Sequence, residues 1–199
     1  MDPLACFKLL TPVTPPAEPH PALFLDRDDT LIPDVPYLRD PSKVRLFPNA
    51  LEGLRLLRDS GYRLILVSNQ SGVGRGLIAP EELRAVHARL VELLQEGGVQ
   101  LDAAYFCPHR PEDACRCRKP GIGMLEEARR DFVILNEGSA MAGDREADLL
   151  MAKNGGLTAI QVLSAGRAPL PQADHHAADL FAAAQWLLSR HASTNDILP

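Results

Sequence analysis

Three carboxylates fall within four residues in Asp26-Arg27-Asp28-Asp29-Thr30, directly after the apolar run ALFL. Carboxylates crowded together repel and resist desolvation unless a metal or a basic partner stands among them. The pattern points to a cation site, or to a carboxylate nucleophile beside an acid; the plainer reading is a solvated acidic turn. A second acidic set, Asp144-Arg145-Glu146-Ala147-Asp148, follows Gly143. Asp144 and Asp148 are four apart at a helix start and share a face. Alone they would do no more than complement a helix dipole. Together the two sets offer hard oxygen ligands suited to Mg²⁺. Ser68-Asn69-Gln70-Ser71-Gly72 supplies a hydroxyl, amide donors and a flexible backbone for a phosphate, or is simply a turn. Lys119, in Arg118-Lys119-Pro120-Gly121, could hold a fixed positive charge there, or be an ordinary surface lysine.

Cys107, His109, Cys115 and Cys117 form a separate cluster in a chain with only 4 cysteines. These are ligand types that bind Zn²⁺ tetrahedrally, and four protein ligands leave no open position, so the metal would be structural. A disulfide between Cys115 and Cys117 would be strained. A catalytic cysteine lacks an oriented base. Cys6 stands alone and is assigned nothing. His20, His87, His175, His176 and His191 fall outside every motif and read as surface or satisfied side chains, and Trp186 reads as core.

Alternating elements must carry these groups. Strand patterns cover 22–26, 63–67, 103–106, 139–143 and 158–163, and helical spacing covers 49–60, 80–96, 123–130, 146–153 and 182–190. Strands alternating with helices predict a parallel sheet covered on both faces, with ligands beyond the carboxyl ends of the strands. Each polar cluster follows such an end. Residues 31–48 are proline-rich and predict a long ordered loop. The 199 residues, 46% apolar and 24% charged, fit one domain with a core large enough to need no disulfide framework. Six of the 17 prolines lie in residues 1–21, which predicts an extended N-terminal arm, with structure beginning at Ala22. The net charge of −5 argues against nucleic acid as a partner. No apolar run is long enough for a membrane span. Asp2 stands where a signal peptide would need a cationic region, so a cytoplasmic location is expected.

The order DxDxT, strand-end serine, lysine and GDxxxD is similar to the four signatures of the haloacid-dehalogenase-like hydrolases. The segments FLDRDDTLI, VSNQSGVGRG, YFCPHRPEDACRCRKP and AGDREAD resemble the histidinol-phosphatase and heptose-bisphosphate-phosphatase group over about residues 22–190. The resemblance implies an α/β fold: a three-layer, doubly wound, mostly parallel, Rossmann-like sheet with a zinc-binding loop. It implies a phosphatase domain over 22–190, between the arm 1–21 and a C-terminal tail 191–199. It implies an Mg²⁺-dependent phosphomonoesterase in which Asp26 is the nucleophile and Asp28 the general acid and base, with Ser68 and Lys119 on the phosphoryl oxygens. Asp26, Asp144 and the Asp28 carbonyl would hold Mg²⁺, with Asp148 in support. Substrate contacts would come from Asp34, Val35, Pro36, Tyr37, Asn69, Gln70, Ser71, Arg118 and Arg145. Cys107, His109, Cys115 and Cys117 would hold structural Zn²⁺. Two departures stand out: Asp29 where the group has glycine, and Ile122 where it has a second proline.

Only 39 residues separate Asp28 from Ser68, too few for an inserted capping domain. Selection should then fall to the short loops 33–41 and 108–118. Arg27, Arg39, Arg75, Arg110, Arg116 and Arg118 lie near them and read as surface side chains, or as contacts for a second anionic group. The expected partner of a monomeric enzyme is a small phosphorylated metabolite, a sugar phosphate first. Histidinol phosphate is the nearest competitor, a 3′-phosphatase for nucleic acid ends is disfavoured by charge, and a zinc-stabilised binding module without catalysis is the alternative of another class.

Overall fold

The apolar runs at 22–25 and 64–67 become neighbouring strands at the centre of one sheet. A computed structural model of the chain describes residues 7–10 and 18–195. Residues 1–6, 11–17 and 196–199, with Cys6 and much of the expected arm and tail, lie outside the described residues, as does the side chain of His191. In chain order the elements are β1 (Phe7–Leu10), β2 (His20–Leu25), α1 (Ala50–Asp59), β3 (Arg63–Asn69), α2 (Ser71–Gly74), α3 (Pro80–Glu96), β4 (Ala103–Cys107), α4 (Gly123–Asp131), β5 (Ile134–Gly143), α5 (Glu146–Asn154), β6 (Thr158–Val162), β7 (His175–Ala177) and α6 (Leu180–Asn195).

The sheet order is β1-β4-β3-β2-β5-β6-β7. All neighbours are parallel except β1, which runs antiparallel to β4. The chain fills one side of β2 with β3 and β4, then crosses to place β5 on the other side. β2 therefore lies where the winding reverses, and a crevice opens beyond the strand ends at such a point.

Period-two alternation assigns each strand side chain to one of two cores. Leu23, Leu25, Leu64, Leu66 and Phe106 pack against Leu54 and Leu57 of α1, Leu83, Val86 and Leu90 of α3, and Ala183 and Leu187 of α6. Phe24, Ile65, Val67, Tyr105 and Met141 pack against Met124 and Leu125 of α4 and Leu149 and Met151 of α5. The central strands are buried on both faces, which is why they read as unbroken apolar runs. Pro80 opens α3, and the Glu82 carboxylate accepts from the Ala79 N–H at 2.8 Å.

No domain interrupts the chain between β2 and β3, or between β3 and β4. The expected start at Ala22 is too late, since β2 begins at His20 and β1 lies upstream of it. Across 31–48 the chain is a loop with one short 3₁₀ turn, Pro41–Lys43.

Candidate active site

Asp26 follows β2 directly, and its N–H is tied to Ala142 O of β5 at 2.9 Å. The chain then turns back sharply, with the Leu31 and Ile32 N–H groups donating to Arg27 O at 2.9 and 3.1 Å. That turn aims the carboxylate of Asp26 into the crevice and leaves it only 6% exposed. From β5, Gly143 delivers Asp144. A Cβ at position 143 would lie 2.4 Å from the Asp148 side chain, so only glycine lets α5 begin this close. Oxygens of Asp26, Asp144 and Asp148, all buried, come within 4.8 Å of one another.

Lys119 enters from the loop that follows β4. Its ammonium donates to Asp26 Oδ1 at 2.5 Å and Val67 O at 3.0 Å, and pairs with Asp148 Oδ1 at 2.6 Å. Asn69, at the end of β3, fixes the lysine backbone from both sides: Oδ1 accepts from Lys119 N at 3.0 Å and Nδ2 donates to Lys119 O at 3.2 Å. Its amide thereby positions the lysine. Asp28 receives a two-pronged contact from Arg27, Nε to Oδ1 and Nη2 to Oδ2, each at 3.0 Å. Gln70 Nε2 donates both to Asp28 Oδ2 and to Ser68 Oγ at 2.9 Å.

Burial dominates the titration of Asp26 and Asp144. It pushes Asp26 up to about 8, opposed by Lys119 and reinforced by Asp148 and Asp28. Burial likewise raises Asp144 to about 6, with Asp148 adding to it and Arg167 and Arg145 opposing. For Lys119 burial works the other way, but Asp148 and Asp26 outweigh it and hold the ammonium above its usual value.

The donor set fits a hard divalent cation. Carboxylates crowd a buried space, and Asp144 Oδ1 is a buried oxygen without a hydrogen-bond partner. Both oxygens of Asp148 are engaged, Oδ1 with Lys119 and Oδ2 with the Arg145 N–H at 3.0 Å. Asp26 and Asp144 are thus the side chains best placed to ligate, and Asp148 supports them.

A cavity of about 540 Å³ opens over Asp26 and is lined by Asp28, Asp34, Val35, Pro36, Tyr37, Asn69, Gln70, Ser71, Arg118, Lys119, Arg145 and Asp148. Ser68 lies fully buried beneath it. Asp144 faces a second cavity, of about 390 Å³, which shares Arg145 with the first and adds Arg167.

Behind Lys119, Cys107, His109, Cys115 and Cys117 converge. Successive Sγ and Nδ1 atoms are 3.3 to 3.6 Å apart. These separations suit the edges of a tetrahedron around zinc with bonds of about 2.0–2.3 Å. The loop doubles back tightly here, so a Cβ on Gly121 or Gly123 would meet Arg116 O at 2.5 or 2.8 Å.

Two sequence expectations need correction. Arg27 is not a surface side chain; it is 1% exposed and serves Asp28. His87 is neither at the surface nor satisfied. It is buried edge-on against Phe106 with ring centroids 5.3 Å apart, and Nδ1 lacks a hydrogen-bond partner. Arg75, Arg110 and Arg116 do pair on the surface, with Glu112, Asp113 and Glu126. The sequence reading missed Arg167 altogether, because it sits in an irregular segment outside every motif.

Comparison with known proteins bears on this geometry. A family model described as HAD-hydrolase-like matches residues 116–184. The D-glycero-D-manno-heptose-1,7-bisphosphate 7-phosphatase of Thermosynechococcus vestitus is 36% identical over 193 residues, covering 87% of this chain and 98% of that protein. The D-glycero-beta-D-manno-heptose-1,7-bisphosphate 7-phosphatase of Yersinia pestis is 32% identical over 176 residues, covering 85% of this chain and 90% of that one. The crystal structure of a D,D-heptose 1,7-bisphosphate phosphatase from B. bronchiseptica, complexed with magnesium and phosphate, superposes with a TM-score of 0.76 at 31% identity over 85% of this chain and 99% of that chain.

Proposed function

This chain belongs to the haloacid-dehalogenase-like phosphatases, in the heptose-bisphosphate phosphatase family, and from that premise we propose that it removes the 7-phosphate of D-glycero-D-manno-heptose 1,7-bisphosphate through a phosphoryl group carried on Asp26. The observation that carries the reading is the Lys119 ammonium, held between Asp26 and Asp148 at the floor of a cavity that also receives Asp28 and Arg118.

The chemistry follows from the chain's own groups. An Asp26 oxygen attacks phosphorus in line with the ester oxygen, forming the acyl phosphate as the phosphorus–O7 bond breaks. Asp28 gives its proton to the departing alkoxide, then takes one from the water that attacks the same phosphorus. Inorganic phosphate leaves and the Asp26 carboxylate returns. Arg27 and Gln70 hold the Asp28 carboxylate in one orientation for both transfers. Lys119, fixed through its backbone by Asn69, offsets charge on the equatorial oxygens, and the Ser68 hydroxyl is the neutral donor beside it. Asp26, Asp144 and the Asp28 carbonyl would hold Mg²⁺, which neutralises the phosphate dianion that a carboxylate nucleophile would otherwise repel.

The wall formed by 34–37, with Ser71, Arg118 and Arg145, is where the sugar would lie. Cys107, His109, Cys115 and Cys117 would hold structural zinc and so anchor the loop that presents Arg118 and Lys119. We place the enzyme in the cytoplasm as a monomer acting on a small metabolite; no helix among the described residues is long and apolar enough to cross a membrane.

A phosphate-release assay with Mg²⁺ tests the reading. Heptose 1,7-bisphosphate should be hydrolysed faster than histidinol phosphate, and Asp26→Asn should release nothing above background. Preference for histidinol phosphate would overturn the substrate, and an active Asp26→Asn would overturn the mechanism.

A further inference from the structure

Asp29 stands at φ 57°, in the left-handed region that most side chains avoid. A short carboxylate can occupy that region by bonding locally. Asp29 Oδ1 accepts from Asp34 N at 2.9 Å, and Oδ2 accepts from Arg167 Nη2 at 2.7 Å. Arg167 in turn sets its Nε against Asp144 Oδ2. Arg145 extends the chain of charges, lying 3.5 Å from Asp144 Oδ2 and 2.8 Å from Asp34 Oδ2. The contacts form a chain of alternating sign, Asp29, Arg167, Asp144, Arg145, Asp34, whose two acidic ends are joined through the Asp34 N–H. Beneath it, the fully buried Gln161 holds two parts of the frame together. Its Nε2 donates to Asp144 O at 3.3 Å and Ala168 O at 3.0 Å, and its Oε1 accepts from Leu170 N at 2.7 Å. The segment bearing Arg167 and the strand end bearing Asp144 are thereby locked to one amide.

We propose that Asp29 and Arg167 are a positioning pair that couples the cation ligand Asp144 to the pocket wall at 34–38. The inference rests on the reading of Asp144 as an Mg²⁺ ligand given above. A planar guanidinium bridges two carboxylates at a fixed angle, which a point-like ammonium does not do. Arg167 is 39% exposed, so its removal opens no void in the core. The pair is part-exposed, Arg167 at 39% and Asp29 at 16%, and its proposed effect is on the geometry of Asp144 and the pocket wall.

The test titrates Mg²⁺ calorimetrically into metal-stripped protein, comparing wild type with Arg167→Ala, Arg167→Lys, Asp29→Asn and the Arg167→Ala/Asp29→Asn double variant. By Coulomb's law alone, removing a positive charge beside a cation site tightens cation binding. Positioning predicts the reverse: Arg167→Ala weakens Mg²⁺ by about tenfold, the scale seen for groups that orient metal ligands. Arg167→Lys, which keeps the charge and loses the two-point bridge, weakens it alike. Asp29→Asn retains the contact to Asp34 N, loses the ionic one, and falls by a similar factor; the double variant is no worse than either single one. In the same variants KM rises by a larger factor than kcat falls, because the pocket wall has lost its tie. Tighter Mg²⁺ binding in Arg167→Ala, wild-type affinity in Arg167→Lys, or additive losses in the double variant would overturn the proposal. The titration needs no substrate, so a wild-type protein that binds Mg²⁺ but hydrolyses no sugar phosphate would refute the proposed substrate and still decide this one.

Discussion

Lys119 lies between Asp26 and Asp148 and opposes the burial that raises Asp26, and this decides what its loss does. Lys119→Met leaves both acids without their cation, and removing one partner from a buried ionic cluster costs about 3–5 kcal/mol. The metal-stripped variant should unfold at clearly lower urea than wild type, and Mg²⁺ should restore part of the difference; an unchanged midpoint would show that the cluster holds no such tension. At this scale the sequence was legible where chemistry demands a residue type at a fixed spacing. Asp26, Asp28, Lys119, Asp144 and Asp148 could be read because their order along the chain is itself a signature. Arg27 could not be read correctly, and the hold of Asn69 on the Lys119 backbone was not foreseen. Nothing in a sequence separates an arginine that serves a neighbouring carboxylate from one that faces solvent, or an asparagine that binds substrate from one that clamps a backbone. Arg167 gave no signal, since its partners lie 138 and 23 positions away, at Asp29 and Asp144.

The element that most directly tests the proposed metal chemistry is the loop after β4. If zinc anchors it, Cys115→Ser should lose zinc by metal analysis and lose phosphate release with it. Full turnover without zinc would show that Lys119 is held by other means. Helix α3 makes a separate prediction through His87. Burial, with the nearby Arg27 charge, pushes that imidazole down to about 4 from 6.5. A histidine depressed in this way stabilises the fold above its unfolded value near 6.5, and the contribution is lost as pH falls from there toward 4. Between pH 7 and pH 5 the loss comes to about 2 kcal/mol. In His87→Leu, urea unfolding at the two pH values should differ by that much less than in wild type; equal pH dependence in both proteins would refute the assignment. The long helices were readable because three- and four-residue spacing is sustained over several turns in α3. β1 and β7, of four and three residues, are too short to show a period. The first half of β5 was missed because Asn136, Glu137 and Gly138 are poor strand formers: the expected strand began at Ser139, whereas it runs from Ile134 to Gly143.

For the whole molecule, the strand–helix alternation was enough to predict a parallel sheet with its site beyond the strand ends, because crossover connections leave few other arrangements. It did not predict the antiparallel edge strand β1, whose pairing with β4 is a tertiary choice. The helical layers also depend on close approaches that the sequence does not announce. A Cβ on Gly53 of α1 would lie 2.5 Å from Leu180 O and 2.8 Å from Phe181 N at the start of α6. Gly53→Ala should therefore cost about 1–3 kcal/mol by urea unfolding, as overpacking does; a wild-type midpoint would mean that the two helices can separate freely. What these layers finally serve is the convergence of four strand ends on one carboxylate. Its most direct test is to quench the enzyme during turnover of heptose 1,7-bisphosphate with Mg²⁺ and reduce it with borohydride, which converts an aspartyl phosphate to homoserine. Sequencing should find homoserine at position 26 and nowhere else, whereas an unmodified Asp26 under the same turnover, or homoserine at another aspartate, would contradict the account.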